Sequence, residues 1–271
     1  MTMRGKTVVI TDLDGSLLHP RSYSFDEAKP SLELIKERNI PLILSSSKTR
    51  VEIELYREKL NNCHPFVAEN GGGIFIPDDY FPFPIEGEKK DGYIVINLGT
   101  PYLDVRRIFK EVTDKEVADT RGFGDLTAKE VSEVTGMTLE EAILAKKREF
   151  DEPFTFNGSD EKKTQFLMAV EKRGFNWTEG RFLHILGNHD KGMAARILIG
   201  FFKQIFKNVT SVGLGDSLND LPFLSEVDYP VLIPKEDGSY VSGEHIAGLI
   251  KAKTAGPNGW NNAVQNILEK I

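Results

Sequence analysis

The chain has a single cysteine, Cys63, in 271 residues. One thiol cannot close an internal disulfide, so a disulfide-stapled scaffold is excluded and a reducing compartment, the cytoplasm, is expected. Long apolar runs are also missing. The run after Lys6 spans only five or six residues and ends in acid, which is not the shape of a signal peptide. No stretch approaches the ~20 apolar residues that a membrane span requires, so no membrane partner is expected. A basic surplus is absent too: 34 Lys and Arg face 41 Asp and Glu, for a net charge of −7. That balance argues against nucleic acid as a partner. It also means that an anionic ligand would need local positive charge, from a metal or from placed Lys and Arg. Neither an internal repeat nor a low-complexity tract interrupts the chain. What remains is an ordinary globular composition, 40% hydrophobic and 28% charged, long enough to bury a substantial core in one large domain or two unequal ones. Monomer and homodimer are both compatible with it.

Apolar patterning suggests an α/β fold. Thr7–Thr11 is a β-branched run that stops at Asp12-Leu13-Asp14-Gly15, as a buried parallel strand does. Ser24-Phe25-Asp26-Glu27 reads as a capping box opening a helix to about Arg38, and Thr49-Arg50-Val51-Glu52 as a second one opening a helix to about Leu60. Between them Ile40–Leu44 is a second buried strand, ending in Ser45-Ser46-Ser47-Lys48. Strand, helix, strand, helix implies a parallel sheet with right-handed crossovers. Residues 78–90, rich in Pro, Gly and charge, read as a linker. Residues 84–187 look α+β, with Tyr93–Asn97 alternating like a strand and Thr138-Leu139-Glu140-Glu141 capping a helix. The α/β pattern resumes with a helix from about Asp190 to Phe206 and a strand, Thr210–Leu214, that ends in Gly215-Asp216. The expected architecture is a discontinuous Rossmann-like core, 1–83 and 188–271, with a cap inserted at 84–187.

Ligands of open parallel sheets sit beyond the carboxyl ends of the strands. Three such ends carry reactive groups: Asp12 and Asp14, Ser45–Ser47, and Asp216 through Asp220. Two carboxylates at i and i+2 leaving a strand can face one cleft, where a divalent cation relieves their repulsion. A few carboxylates, with water and phosphate completing the shell, suit Mg²⁺, and Asp216 is the natural third contributor.

On these residues the chain resembles the haloacid dehalogenase superfamily of phosphatases. Asp12-Leu13-Asp14-Gly15-Ser16-Leu17-Leu18 matches its first motif, Ser46 its second, Lys191 in Asp190-Lys191-Gly192 its third, and Gly213 through Asp220 its fourth. The resemblance implies that Asp12 is the nucleophile and Asp14 the acid–base. It implies that Asp12, the Asp14 main chain and Asp216 hold Mg²⁺, while Lys191 and Ser46 bind the phosphoryl group, with Asn219 and Asp220 in support. Further segments are similar to the mannosyl-3-phosphoglycerate phosphatase family: Ser46–Arg50, Glu69-Asn70-Gly71-Gly72, Arg121-Gly122-Phe123-Gly124-Asp125, Arg148 through Phe154, Gly180-Arg181-Phe182, and Gly256 through Asn261. This likeness implies a phosphorylated sugar-glycerate as substrate, hydrolysed to mannosylglycerate (a compatible solute) and phosphate. Lys48, Asn70, Arg121, Arg148, Arg181 and His184 are then expected at the substrate, since Arg suits a carboxylate. The competing expectations are a glucosyl-3-phosphoglycerate, sucrose-phosphate or trehalose-phosphate phosphatase, a phosphomutase sharing the aspartyl phosphate, and a non-catalytic sugar-phosphate-binding protein.

Overall fold

The first strand of the computed structural model, β1 (Lys6–Thr11), is the centre of the molecule, and the side chains of Val8, Val9 and Ile10 are fully buried. The structure describes residues 5–116 and 119–271. β1 pairs in parallel with β2 (Leu42–Ser45) on one side, and β2 in turn with β3 (Phe66–Ala68). On its other side lie β11 (Val209–Gly215), β12 (Tyr229–Leu232) and the short β13 (Ile250–Lys251), also parallel. The crossovers run through α1 (Lys29–Glu37), α2 (Arg50–Lys59), α7 (Lys191–Ile205) and α8 (Leu221–Leu224). Both faces of such a sheet are covered, which is why its strands read as unbroken apolar runs rather than alternating ones.

Beyond β3 the sheet continues with antiparallel strands, β4 (Gly73–Pro77), β6 (Tyr93–Asn97) and the edge strand β5 (Glu88–Lys90), making nine in the order 13-12-11-1-2-3-4-6-5. The boundary expected at 84 falls before the last two of these strands. Residues 88–97 extend the large sheet, because Asp91-Gly92 turns the chain back with positive φ at both positions (53° and 82°), the conformation of a two-residue hairpin loop. The supposed linker before it is also packed: Tyr80, Phe81 and Phe83 stack edge-on against Phe201 and Phe202 of α7.

A separate four-stranded antiparallel sheet, ordered β7 (Thr120–Gly122), β8 (Asp151–Phe156), β10 (Leu183–Leu186), β9 (Asn176–Glu179), carries its own core. Val105, Phe109 and Val112 of α3 (Tyr102–Glu116) and Phe166 and Val170 of α6 (Asp160–Glu171) pack on it. Phe123 and Leu126 form a smaller cluster with Val131 of α4 (Ala128–Thr135) and Ala142 of α5 (Leu139–Ala145). We propose that the cap comprises this unit, residues 100–187. The capping boxes at Thr49 and Thr138 form as expected. The one at Ser24 does not: its hydroxyl serves Asp26, and α1 starts at Lys29 with Pro30 in its first turn. Proline there costs no hydrogen bond, so it sets the start instead.

The last helix, α9 (Gly256–Leu268), docks on the sheet through Trp260, which is fully buried. Its indole Nε1 donates to Thr11 Oγ1 at 2.8 Å, and that hydroxyl donates to the Asp12 carbonyl at 2.8 Å. The aromatic anchor therefore fixes the end of β1.

His64 gives the fold an acid sensitivity. Its Nδ1 lies 2.7 Å from Tyr80 Oη. Burial, with Lys6 and Arg57 nearby, pushes the imidazole down from its ordinary 6.5 to about 4. The unfolded chain then binds a proton that the folded one refuses, so stability is complete above about pH 6.5 and is lost as pH falls toward 4. For this half-buried group the loss is about 1–2 kcal/mol after screening. In His64→Gln the drop in Tm between pH 7 and pH 4.5 should be shallower by a few degrees, and an unchanged drop would contradict a neutral His64.

Candidate active site

Asp12, Asp14, Ser46, Ser47, Asp216 and Lys235 all stand at or just beyond the carboxyl ends of β1, β2, β11 and β12, on one edge of the sheet. A cleft of about 730 Å³ opens there, lined by Asp12, Asp14, Ser47, Arg181, Asp216, Asn219 and Lys235 among others.

Lys191 is the pivot. It opens α7, is fully buried, and donates through Nζ to Asp12 Oδ1 at 2.6 Å and to Asp220 Oδ1 at 2.7 Å. Burial alone would lower its proton affinity, but Asp12 and Asp220 overrule burial and hold it above the usual lysine range. The helix can begin there because Asp190 caps it, accepting from the Met193 N–H at 2.7 Å. Two glycines allow the close approach: a Cβ on Gly71, where φ is +96°, would strike the Asp190 carbonyl, and one on Gly192 would meet the Pro222 carbonyl at 2.7 Å.

Asp220 is fully buried, and it organises the loop after β11. Its Oδ2 accepts from the main-chain N–H groups of Asp216 and Ser217, both at 2.9 Å. Asp216 is held by Lys235, whose Nζ lies 2.5 Å from Oδ2 and also donates to Ser217 Oγ at 2.7 Å. Burial raises the Asp12 carboxyl well above its ordinary range, with Asp220, Asp216 and Asp14 adding repulsion against the attraction of Lys191. Burial and Asp220 likewise push Asp216 up to about 6. Asp14 pairs with Lys48 at 2.9 Å through Oδ2, while its buried Oδ1 has no hydrogen-bond partner among the described residues.

Oxygens of Asp12, Asp216 and Asp220 all lie within 4.8 Å of one another. Hard oxygen donors this crowded, with the Asp12 and Asp216 carboxyls raised by burial and by repulsion from Asp220, fit a small divalent cation. Gly15 keeps the space open, since a Cβ there would sit 2.6 Å from Asp216 Oδ2. Both oxygens of Asp220 are engaged, by Lys191 and by the Asp216 and Ser217 N–H groups; both of Asp216 are engaged as well, Oδ1 accepting from Ser217 Oγ at 3.1 Å and Oδ2 from Lys235, while Lys191 occupies Oδ1 of Asp12.

The serines divide by position. Ser46 is buried, its Oγ accepting the Lys48 N–H at 3.2 Å, while Ser47 reaches the cleft wall. Lys48 is buried against Asp14 and Glu52, with the rings of Tyr23 and Tyr56 5.0 and 5.6 Å from its Nζ. Burial would lower this lysine, but Asp14 and Glu52 hold it above the usual range. Arg181 faces the cleft and donates to Tyr23 Oη at 2.8 Å. Asn70 bridges inward, donating to Asp151 at 2.7 Å and accepting from Asn219 at 2.9 Å. His184 is buried with Nδ1 3.1 Å from Asp151, and it lines a side pocket of about 50 Å³ with Lys48, Arg148 and Arg181.

Two expected substrate residues are placed otherwise. Arg121 is half exposed, paired with Glu130 at 2.8 Å, and does not border the cleft. Arg148 touches the side pocket, but its guanidinium is committed to Asp151, to Glu69 and to the Ser47 carbonyl. One of its acids, Asp151, stands three residues on at the start of β8, and the other, Glu69, is distant in sequence, so the burial of all three together is not visible in the sequence. Arg148→Ala should therefore leave two buried carboxylates without their cation and cost about 3–5 kcal/mol, read as a loss of Tm. A raised KM with unchanged Tm would restore its reading as a substrate ligand. Lys235 was missed. It follows β12 in Pro234-Lys235-Glu236-Asp237, and the rule about strand ends that selected Asp12 and Asp216 points to it as well.

Residues 9–82 match a family described as haloacid dehalogenase-like hydrolase. A glucosyl-3-phosphoglycerate/mannosyl-3-phosphoglycerate phosphatase of Methanococcoides burtonii is 42% identical over 98% of this chain and 98% of its own. A mannosyl-3-phosphoglycerate phosphatase of Pyrococcus horikoshii is 37% identical over 83% of this chain and 90% of its own. Among solved structures, a haloacid dehalogenase-like hydrolase from Bacteroides thetaiotaomicron superposes with a TM-score of 0.67 at 16% identity, covering 97% of this chain and all of the other, which establishes the shared fold.

Proposed function

The chain belongs to the mannosyl-3-phosphoglycerate phosphatase family of haloacid dehalogenase-like hydrolases and is a phosphoric monoester hydrolase, and from that membership we propose that it removes the phosphate of 2-O-mannosyl-3-phosphoglycerate, using Mg²⁺. The glucosyl ester is proposed as a second substrate, because the relative that matches 98% of the chain carries both sugars in its name. The observation that supports this most is the buried Lys191 bridging Asp12 and Asp220, with Asp216 beside them and with Asp12 and Asp216 lining the cleft of about 730 Å³.

Asp12 attacks phosphorus through a carboxylate oxygen, the bond to the glycerate oxygen breaks, and an aspartyl phosphate forms. Asp14 supplies the proton to the departing alkoxide and then removes one from the water that cleaves the aspartyl phosphate, releasing inorganic phosphate and restoring Asp12. Its unpartnered Oδ1 is the oxygen open to that exchange, while Lys48 steadies Oδ2. Lys191 aims the nucleophile and offsets charge on the phosphoryl oxygens. Ser46 keeps its hydroxyl proton free to donate while its oxygen accepts from Lys48. The carboxylates of Asp12 and Asp216, with the Asp14 main chain, would hold Mg²⁺, and Asp220 and Asn219 support that loop. When bound, the cation lessens the repulsion between an anionic nucleophile and an anionic ester. Arg181 is the side chain best placed to meet the substrate carboxylate, lining both the cleft and the side pocket.

Phosphate release from mannosyl-3-phosphoglycerate, glucosyl-3-phosphoglycerate, glucose 6-phosphate and sucrose phosphate, with Mg²⁺ and with EDTA, tests this. The glycosyl-glycerates should exceed the other esters by about 100-fold or more in kcat/KM, since a site built for a carboxylate rejects ligands that lack one. Chelation should remove turnover. Equal use of glucose 6-phosphate would overturn the substrate, and release that survives EDTA would overturn the metal.

A further inference from the structure

A chain of buried polar groups crosses from the small sheet to the loop after β11. At its cap end Asp151, the first residue of β8, is fully buried and paired with the guanidinium of Arg148. Its Oδ2 accepts from Asn70 Nδ2 at 2.7 Å and lies 3.1 Å from His184 Nδ1. Burial would push this carboxyl up, but Arg148 and His184 overrule it and hold it below the usual range. Asp151 is thus a fixed negative charge. Glu69 holds the main chain at the same place, its two oxygens accepting the N–H groups of Glu149, Phe150 and Asp151 at 2.8–2.9 Å.

Asn70 is the middle link. It sits in the left-handed region, with φ of 58°, which asparagine tolerates better than most residues. A carboxylate only accepts, so Asp151 obliges Asn70 to point Nδ2 toward it and Oδ1 away. Oδ1 then demands a donor, and Asn219 Nδ2 supplies it at 2.9 Å. Asn219 precedes Asp220, the residue that grips both Lys191 and the N–H groups of Asp216 and Ser217. Each amide orientation is set by the one before it, and the sequence of dictation starts in the cap.

We propose that Asp151 is a positioning residue for the loop 216–220, acting through Asn70 and Asn219, so that seating of the cap and order of that loop are coupled. This rests on the reading above only in calling the loop catalytic. The predicted effect reaches substrates that never use the cap. A residue that merely seats the cap would alter recognition of a bulky leaving group and leave a small ester untouched. Asp151→Asn preserves shape and removes the obligation, because an amide can present either a donor or an acceptor to Asn70.

Two readouts test it. For para-nitrophenyl phosphate, kcat should fall about tenfold in Asp151→Asn, in Asn70→Ala and in Asn219→Ala, the size expected for one lost orienting hydrogen bond. The double variant Asp151→Asn with Asn219→Ala should be little worse than either alone, although the two side chains do not touch, since both break one chain. Multiplicative losses, or wild-type kcat in folded Asn70→Ala, would overturn the proposal. The second readout needs no activity: amide hydrogen exchange across residues 214–221 should speed up in Asp151→Asn and Asn70→Ala. Faster exchange confined to residues 148–156 would show a local support only. Failure of the wild-type chain to release phosphate would count against the phosphatase substrate and leave the exchange result to decide the coupling.

Discussion

Asp12→Asn abolishes turnover, by a factor of a thousand or more, and leaves substrate binding intact. The amide keeps the shape of the carboxylate and can still accept from Lys191, so the floor of the cleft stays in place. It cannot attack phosphorus, and loss of an attacking group typically costs several orders of magnitude. Binding should tighten if it changes at all, because one of the charges that repels the ester is gone. Phosphate release and isothermal titration on the same preparation separate the two effects. More than about one per cent of wild-type turnover, or a parallel loss of binding and kcat, would contradict a nucleophilic Asp12.

Lys191→Met loses both activity and stability. The side chain is fully buried, and its ammonium stands between Asp12 and Asp220 at 2.6 and 2.7 Å. Methionine fills similar length and leaves the two carboxylates facing each other without their cation. Removing one partner of a buried ion pair costs about 3–5 kcal/mol, which for a chain of this size is a drop in Tm of roughly 10 °C. Turnover should fall at least about a thousandfold, since a preorganised positive charge at the phosphoryl oxygens is lost together with the aim of the nucleophile. Added Mg²⁺ should recover part of the lost Tm by binding the folded form. A variant as stable as wild type in metal-free buffer would mean that Asp12 and Asp220 do not depend on this lysine.

The parts of the fold that sequence reveals are those that composition cannot disguise. An unbroken apolar run such as Thr7–Thr11 has to be buried on both faces, and the acid that ends it has to emerge at the sheet edge, so Asp12, Asp14 and Asp216 were legible together. Lys191 was legible through its place at the head of a helix, where the core resumes. The hairpin at Asp91-Gly92 carried a usable turn signal as well, but the charged and proline-rich residues before it masked the continuation of the sheet. Arg148, Glu69 and Asp151 were not legible as a unit. Each is a charged residue near a loop, and only their shared burial pairs them with one another. The orientation of the Asn70 and Asn219 amides lies further out of reach, since it depends on which neighbour is obliged to accept.

Whether a phosphoryl group and the side chains at the ends of β1, β11 and α7 meet at one point can be tested directly by trapping the covalent adduct. Enzyme mixed with excess substrate and Mg²⁺ is quenched in acid within milliseconds, reduced with borohydride, digested and sequenced by mass spectrometry. An acyl phosphate on Asp12 is expected to appear as homoserine at position 12, absent from unreacted enzyme and from Asp12→Asn. Reduction at another carboxylate, or phosphate release under the same conditions with position 12 unmodified, would contradict Asp12 as the residue that takes the phosphate.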